Sequence, residues 1–509
     1  MSYDLRPYQL EAINAIDREW FDEGRRKTLL VLPTGMGKTV VFNEIARQKA
    51  PGVLILCHRD ELIEQCRQKY GGETGKIKAE ENSILPVTVG SVQTMCRRDY
   101  DSDLFSTIIV DEAHHAVSPS YQAILRQFPD AKVLGVTASP DRGDKKSLGQ
   151  FFESIAYEYN LKKAVRDGWL CNIAARTVPI DIDLSEVKVK VGDFEVNGLA
   201  EALAPYLPEI AKAIKEYASD RKTVVFLPLI SIAQDFRDEL LKVGLDAKEI
   251  NGQSEDRKEI LEWFDKAGSG TVLCNAMLLT EGWDCPSVDC VVVLRPTKVR
   301  SLYVQMVGRG TRLYPGKKNL LLLDFLWLCQ KHNLCKPANL ISDNAEDIEK
   351  VVKETEEKET DLIEATESAE EQRRTALAEA ISKQKKKKSK LIDPLEMFSL
   401  LDDIGLADYE PVMKWEEADA TQKQIDCLEK FGIDAEGITK GFACQIMDRL
   451  VNRSANGMAT IKQVRLLKKY KYEHAEQMTF AEANNLISRL AAAKWKPWKV
   501  KQNEVNPFE

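Results

Sequence analysis

Two short runs in the N-terminal third have the residue types and spacing needed to handle a nucleoside triphosphate. The first is Pro33-Thr34-Gly35-Met36-Gly37-Lys38-Thr39, set between the apolar run Thr28–Leu32 and an amphipathic segment that begins near Val40. Glycines at 35 and 37 let backbone N–H groups turn inward around phosphate oxygens. The Lys38 ammonium reaches the β and γ phosphates, and the Thr39 hydroxyl is suited to ligate Mg²⁺. Position 32 is Leu where the general phosphate-loop pattern has its first glycine, so placement between strand and helix carries the reading as much as spacing does. The second run, Ile108-Ile109-Val110-Asp111-Glu112-Ala113-His114, is an apolar strand ending in two adjacent carboxylates. Asp111 suits Mg²⁺ held through water, and Glu112 suits orienting and deprotonating an attacking water. Alone, such a pair is usually just a polar strand end; downstream of a phosphate loop it points to hydrolysis.

A third run, Gln305-Met306-Val307-Gly308-Arg309-Gly310-Thr311-Arg312, places two arginines three apart on one helix face. From there they can present guanidinium groups to a γ-phosphate and neutralise transition-state charge. The plainer alternative is a structural ion pair, since Arg is also common at interfaces.

The elements that must position these residues are legible as apolar runs. Thr28–Leu32, Val53–Cys57, Thr107–Val110 and Lys132–Thr137 each end at a polar or Gly/Pro-marked loop, where open α/β sheets place ligand chemistry. Thr223–Leu227, Thr271–Asn275, Cys290–Leu294 and Leu320–Leu323 repeat the pattern from about Pro205 to Trp327. Alternation with amphipathic segments predicts an α/β fold with two successive parallel sheets. The expected domains are 1–160, a connector at 161–204 with some extended structure, 205–341, a charged linker at 342–395 and a small, mainly α-helical region at 396–509. The linker begins acidic (Glu346, Asp347, Glu349, Glu354) and ends basic (Lys385 to Lys388), and is read as a long solvated helix. Its lysine run is a solvated face or hinge, or else touches phosphates. In the last region 420–450 echoes 459–490, with Thr439/Thr479, Ala443/Ala483 and Arg449/Arg489 in step, which predicts two small helical hairpins. The tail interleaves Lys494, Trp495, Lys496, Trp498, Lys499 and Lys501, a mix that serves either stacking and phosphate contact or simple packing.

Composition narrows the class. A chain of 509 residues, 44% hydrophobic, has material for about three folded units. Net charge of −8 argues against a protein coated in positive charge, so any polyanion site must be a local cleft. The eleven cysteines lack regular spacing and no apolar leader follows Met1, which predicts a reducing cytoplasm. Cys329, His332 and Cys335 lack a second ligand pair and are read as packing residues. No run reaches the roughly 18–20 apolar residues of a membrane span, so no membrane role is expected.

Taken in order, these runs resemble the superfamily-2 helicases of the Asp-Glu-Ala-His type over about the first 340 residues. The resemblance implies tandem RecA-like lobes that close on ATP and Mg²⁺. Leu5-Arg6-Pro7-Tyr8-Gln9 is similar to the family's adenine-reading motif, which implies nucleotide contacts from Arg6 and Gln9. His58, Arg59, Ser91, Gln93 and Thr94 fall in runs that match the strand-contacting motifs of the first lobe. Val136-Thr137-Ala138-Ser139-Pro140 matches the motif that couples hydrolysis to strand movement, and Asn251-Gly252-Gln253 fits a weaker motif of the second lobe. Leu279-Thr280-Glu281-Gly282-Trp283-Asp284 is similar to the loop that touches both backbone and nucleotide, implying Thr280 on nucleic acid and Gly282 and Asp284 on the nucleotide. His114 and Gln305 join Lys38, Asp111, Glu112, Arg309 and Arg312 as the implied catalytic set.

Arg295-Pro296-Thr297 through Tyr303, with Leu313-Tyr314-Pro315-Gly316-Lys317, resembles the bacterial RadD type and its phage relatives. Those proteins typically carry a cysteine-rich zinc module after the second lobe, whereas this chain has the charged linker and helical repeat, so accessory functions do not transfer. The implied function is an ATP-dependent DNA helicase or translocase on single-stranded, forked or branched DNA. It is expected to be a monomer in a bacterial or phage-infected cytoplasm, with the repeats open to a protein partner. An RNA helicase, the motor of a restriction-type system and a non-hydrolysing scaffold are the alternatives.

Overall fold

The computed structural model describes the chain apart from residues 1–4, 59, 139–147, 185–186, 191–192, 253, 255, 277–282, 284, 329–333, 384–399, 402–408, 410, 436, 473 and 496–509. Its described residues form two compact units, Met1–Ala369 and Glu370–Glu509. The Lys385–Lys388 run and all of the tail beyond Trp495 lie outside the described residues.

The first lobe is built on eight strands: β1 Lys27–Val31, β2 Val53–Cys57, β3 Gly75–Lys78, β4 Glu81–Ser83, β5 Val87–Ser91, β6 Thr107–Asp111, β7 Lys132–Thr137 and β8 Ser154–Glu158. They lie in the order β4-β3-β5-β2-β6-β7-β1-β8, parallel except where β4 pairs with β3. Both faces of this sheet are covered, so β2 and β5 read as unbroken buried runs rather than alternating ones. The loop after β1 carries the phosphate-loop residues and the C-terminal end of β6 carries the paired carboxylates, with β7 lying between those two strands.

The second lobe uses β9 Ile173–Asp183, a small β10 (Val189–Lys190) and β11 (Asp193–Phe194) ribbon, β12 Thr223–Leu227, β13 Asp246–Ile250, β14 Thr271–Ala276, β15 Cys290–Val293, β16 Leu320–Leu328 and β17 Thr360–Asp361. Its main sheet runs β13-β14-β12-β15-β16-β9-β17, parallel but for β17. The extended structure expected between the lobes is β9, and it pairs in parallel with β16.

The acidic stretch read as a solvated linker is docked over its first part. The Ala345–Glu357 helix buries Asp347, Val351 and Thr355, one per turn, while its glutamates face outward. Thr355 hydrogen-bonds Thr177 of β9 at 3.1 Å, and β17 then adds to the same edge. An apolar cluster runs continuously from one sheet to the other through Leu32, Leu170, Val304 and Val307.

In the second unit, helices Gln422–Phe431 and Lys440–Ala455 form one hairpin and Ile461–Lys469 and Phe480–Ala492 the other. The sequence echo is a capping echo. Thr421, Thr439, Thr460 and Thr479 each accept a backbone N–H at the first turn of a helix, while Ala443 and Ala483 are wholly buried where the helices meet. Among the described residues no helix is long and apolar enough to cross a membrane.

Candidate active site

The loop after β1 turns tightly because Gly35 and Gly37 adopt φ of 91° and 79°, left-handed values that L side chains resist. Close packing reinforces that need. A Cβ on Gly37 would lie 2.6 Å from the Gln9 amide nitrogen, and one on Gly35 would lie 3.3 Å from Arg312 Cγ. Behind the loop, the Met36 carbonyl accepts from the Tyr8 hydroxyl at 2.8 Å and from Gln9 Nε2 at 3.3 Å. Burial pushes the Tyr8 pKa up, which keeps its hydroxyl a donor. Gln9 Oε1 accepts the Arg6 N–H, and the Arg6 guanidinium sits 5.1 Å over the Trp169 ring, which itself packs edge-on against Tyr8. Arg6 and Gln9 are thus placed as supports behind the loop. Pro33 and Met36 are buried beneath it.

Lys38 and Thr39 open the following helix and face the end of β6. Lys38 Nζ stands 3.9 Å from Glu112 Oε1. Glu112 itself has φ 52°, ψ 60°, a left-handed conformation that costs any residue with a Cβ and is found where a site imposes it. Its N–H donates to Asp111 Oδ1 at 3.0 Å, so the two carboxylates are fixed as a pair. His114 Nδ1 lies 3.6 Å from Glu112 Oε2, and the His114, His115 and His58 rings form a chain with centroids 4.1 and 4.7 Å apart.

Across the cleft, helix Arg300–Gly308 ends against the phosphate loop. The approach is backbone to side chain: a Cβ on Gly308 would meet Thr34 Cβ at 2.5 Å. Arg309, 8% exposed, donates to the Trp283 carbonyl at 2.8 Å. The turn beyond it is held by Lys317, whose ammonium donates to the carbonyls of Gly310, Arg312 (2.9 Å) and Val288 (2.6 Å). Burial lowers the Lys317 pKa.

The lobes thereby enclose a cavity of about 480 Å³ lined by Thr34, Gly35, Gly37, Lys38, Thr39, Asp111 and Glu112 from one side and Trp283, Gln305, Arg309 and Arg312 from the other. Its size suits a nucleotide-sized ligand. Leu62, Gln65 and Lys69 also line it, contributed by helix Asp60–Tyr70. Tyr8 and Lys317 stand in motif runs that assign them no role, Leu62 closes a run that matches a strand-contacting motif, and Trp169, Gln65 and Lys69 carry no signal in the sequence.

Of the proposed strand-contacting residues, His58 and Gln93 meet at the ends of neighbouring β2 and β5, where Gln93 Nε2 donates to the His58 carbonyl at 2.7 Å. The buried Ser91 hydroxyl donates to Gln93 Oε1 at 2.9 Å, and Thr94 Oγ1 accepts from the Ala79 N–H of the β3–β4 turn at 3.1 Å, so both hydroxyls are engaged within the lobe. Arg59, Ser139, Gln253, Thr280, Gly282, Asp284, Cys329 and His332 lie outside the described residues.

Fold and cleft together define a nucleotide-binding core whose site is divided between two α/β lobes. Residues 2–142 match the family described as type III restriction enzyme, res subunit, and residues 206–314 match the helicase conserved C-terminal domain. A Saccharomyces cerevisiae protein named as an ATP-dependent helicase, IRC3, is 33% identical over 387 residues, 68% of this chain and 54% of its own length. A Schizosaccharomyces pombe protein named as a mitochondrial ATP-dependent helicase, irc3, is 32% identical over 63% of this chain and 57% of its own. The chain therefore spans little more than half the length of these two relatives. A fragment assigned to the HsdR subunit of a type I restriction enzyme from Vibrio vulnificus shares the fold, with a TM-score of 0.50, 24% identity and 64% of each chain covered. The two lobes of this chain are therefore the paired domains of the superfamily-2 helicase family.

Proposed function

We propose that the chain is a DNA translocase or helicase acting on single-stranded, forked or branched DNA, with ATP·Mg²⁺ bound between its lobes. The observation that carries this reading is the cleft itself, in which Arg309 and Arg312 of one lobe face Lys38, Thr39, Asp111 and Glu112 of the other. Lys38 and the loop N–H groups hold the phosphates, and Glu112 takes the proton of the attacking water while His114 orients its carboxylate. Arg309 and Arg312, the latter held at its carbonyl by Lys317, stabilise charge on the transferring phosphoryl group, with Gln305 beside them in the cavity as a further member of the catalytic set. Thr39 and Asp111 line one cavity with hard oxygen donors and are the residues that would hold Mg²⁺, which when bound neutralises phosphate charge.

Because the arginines reach the site only with the lobes together, closure and hydrolysis are coupled, and cyclic closure would move the lobes along a strand. His58 and Gln93 lie on the strand-contacting loops of the first lobe. Phosphate contacts would dominate, so affinity should fall steeply with salt. The runs Arg295–Tyr303 and Leu313–Lys317 support a place near the RadD type, with a role in processing replication or repair intermediates. A cytoplasmic setting belongs to the same reading. The test is ATPase stimulation by single-stranded, duplex, forked and branched DNA beside matched RNA. Stronger stimulation by DNA with a single-stranded region is expected; stimulation by RNA alone would overturn the DNA assignment.

A further inference from the structure

The two C-terminal hairpins repeat one fold but not one surface, and the difference has a chemical direction. Ala420 aligns with Ala459, so the first helix and its exit turn, 422–432, correspond to 461–471. Both helices end in the same hydrogen-bond pattern: Ile433 N–H to the Leu428 carbonyl at 3.0 Å, Tyr472 N–H to the Leu467 carbonyl at 3.2 Å. In the first copy the left-handed residue of that turn is Gly432, φ 86°. In the second it is Lys471, φ 61°, an exposed side chain in a conformation that glycine accepts and lysine resists. The fold tolerates a lysine there against backbone preference.

Charge follows the same asymmetry. In the first copy Lys423 and Lys430 are balanced by Asp426 and Glu429. The second carries Lys462, Arg465, Lys468, Lys469 and Lys471 with no acidic residue between them, in a chain whose net charge is −8. Lys468 is tied to Glu476 at 3.0 Å, whereas Lys469 and Lys471 are exposed.

Beside these lysines lies an aromatic pair. The Tyr470 and Trp495 rings are stacked, centroids 5.5 Å apart and planes 22° from parallel, and Trp495 remains 41% exposed. Lys494 and Trp495 are themselves left-handed, φ 54° and 59°, in the turn that folds the indole back on Tyr470, with the Trp495 N–H donating to the Leu490 carbonyl at 2.8 Å. An exposed indole presented on a second ring and flanked by Lys469, Lys471 and Lys494 offers a π face to a base and cations to the phosphates on either side. An acidic protein surface would use the lysines but not the stacked rings.

We propose that the second hairpin is a binding surface for single-stranded DNA. This rests on the nucleic-acid reading of the chain but not on hydrolysis, which makes the two separately testable. The experiment uses the full chain without nucleotide and follows anisotropy of a labelled oligo-dT, an oligo-rU and a poly-glutamate peptide at several salt concentrations. Trp495→Ala should weaken oligo-dT binding roughly 5- to 100-fold, the range for loss of one base-stacking platform. Lys471→Gly, which relieves the left-handed strain, should raise or preserve the melting temperature and yet lower affinity. It should also reduce the slope of log affinity against log salt by about 0.7, one lost phosphate contact on a single strand. ATPase activity measured without DNA should be that of the wild type in both variants. Unchanged affinity and salt slope in both variants would overturn the proposal, as would losses seen only with poly-glutamate or only with oligo-rU. A wild-type chain that binds oligo-dT through these residues but shows no DNA-stimulated ATPase would instead sink the motor reading and leave this surface standing.

Discussion

Replacing Gly308 by Ala should separate lobe closure from everything else the protein does. Gly308 is the last residue of its helix, and the new methyl carbon would sit 2.5 Å from Thr34 Cβ and 3.0 Å from its Cγ2, both on the opposite lobe. Ordinary carbon contacts begin near 3.5 Å, so the lobes must part by about 1 Å to accommodate it. Overpacking of this kind costs about 1–3 kcal/mol, here levied on the closed state alone. At about 1.4 kcal/mol per tenfold, DNA-stimulated kcat/KM should fall roughly 5- to 150-fold. Helix propensity works the other way, since Ala is favoured over Gly in a helix by roughly 0.5–1 kcal/mol, so the melting temperature should hold or rise. Gly310→Ala is the matched control: its methyl would lie 2.4 Å from Leu320 Cδ1 within the second lobe, so it should lower the melting temperature. The assay is steady-state ATPase with saturating single-stranded DNA, alongside thermal melting. Wild-type turnover in Gly308→Ala would refute the idea that hydrolysis needs the lobes as close as they stand.

Other outcomes follow from single contacts. Lys38→Ala should abolish ATP hydrolysis, while Glu112→Gln should keep ATP and DNA binding but slow turnover roughly 10²- to 10⁴-fold; a rapid-quench measurement of bound ATP separates the two. Tyr8→Phe removes the hydroxyl donor to the Met36 carbonyl, leaving Gln9 to hold the loop, and should raise the KM for ATP roughly 2- to 10-fold with kcat little changed. Thr460→Ala removes a helix cap in the second unit and should cost about 1 kcal/mol there, visible as faster amide exchange in 461–492 with ATPase activity unaltered.

The chemistry was legible in the sequence because it is local. A glycine-lysine-threonine run and an Asp-Glu strand end each announce a function that few other residues at that spacing could serve, and the strands beside them were located to within a residue or so. What escaped was whatever tertiary pairing alone decides. Residues 173–183 look like a connector because Pro179 and alternating polar residues interrupt the apolar pattern, yet the edge of β16 recruits them. The glutamates of 345–357 mask a buried stripe of one residue per turn. Tyr8 and Lys317 support the site through backbone carbonyls, which leave no trace in residue type. Gly308 was visible only as part of an arginine motif; that its missing side chain admits Thr34 is a fact of the assembled cleft.

The central claim is that one site is completed by both lobes. The direct measurement is single-turnover ATP hydrolysis by the Arg309→Ala/Arg312→Ala variant, with bound ATP saturating and single-stranded DNA present. Loss of roughly 10³-fold or more in the hydrolysis step, with ATP affinity largely kept, is the predicted result. A variant that hydrolyses bound ATP within a few-fold of the wild-type rate would show that the first lobe acts alone, and the two-lobe account would fail.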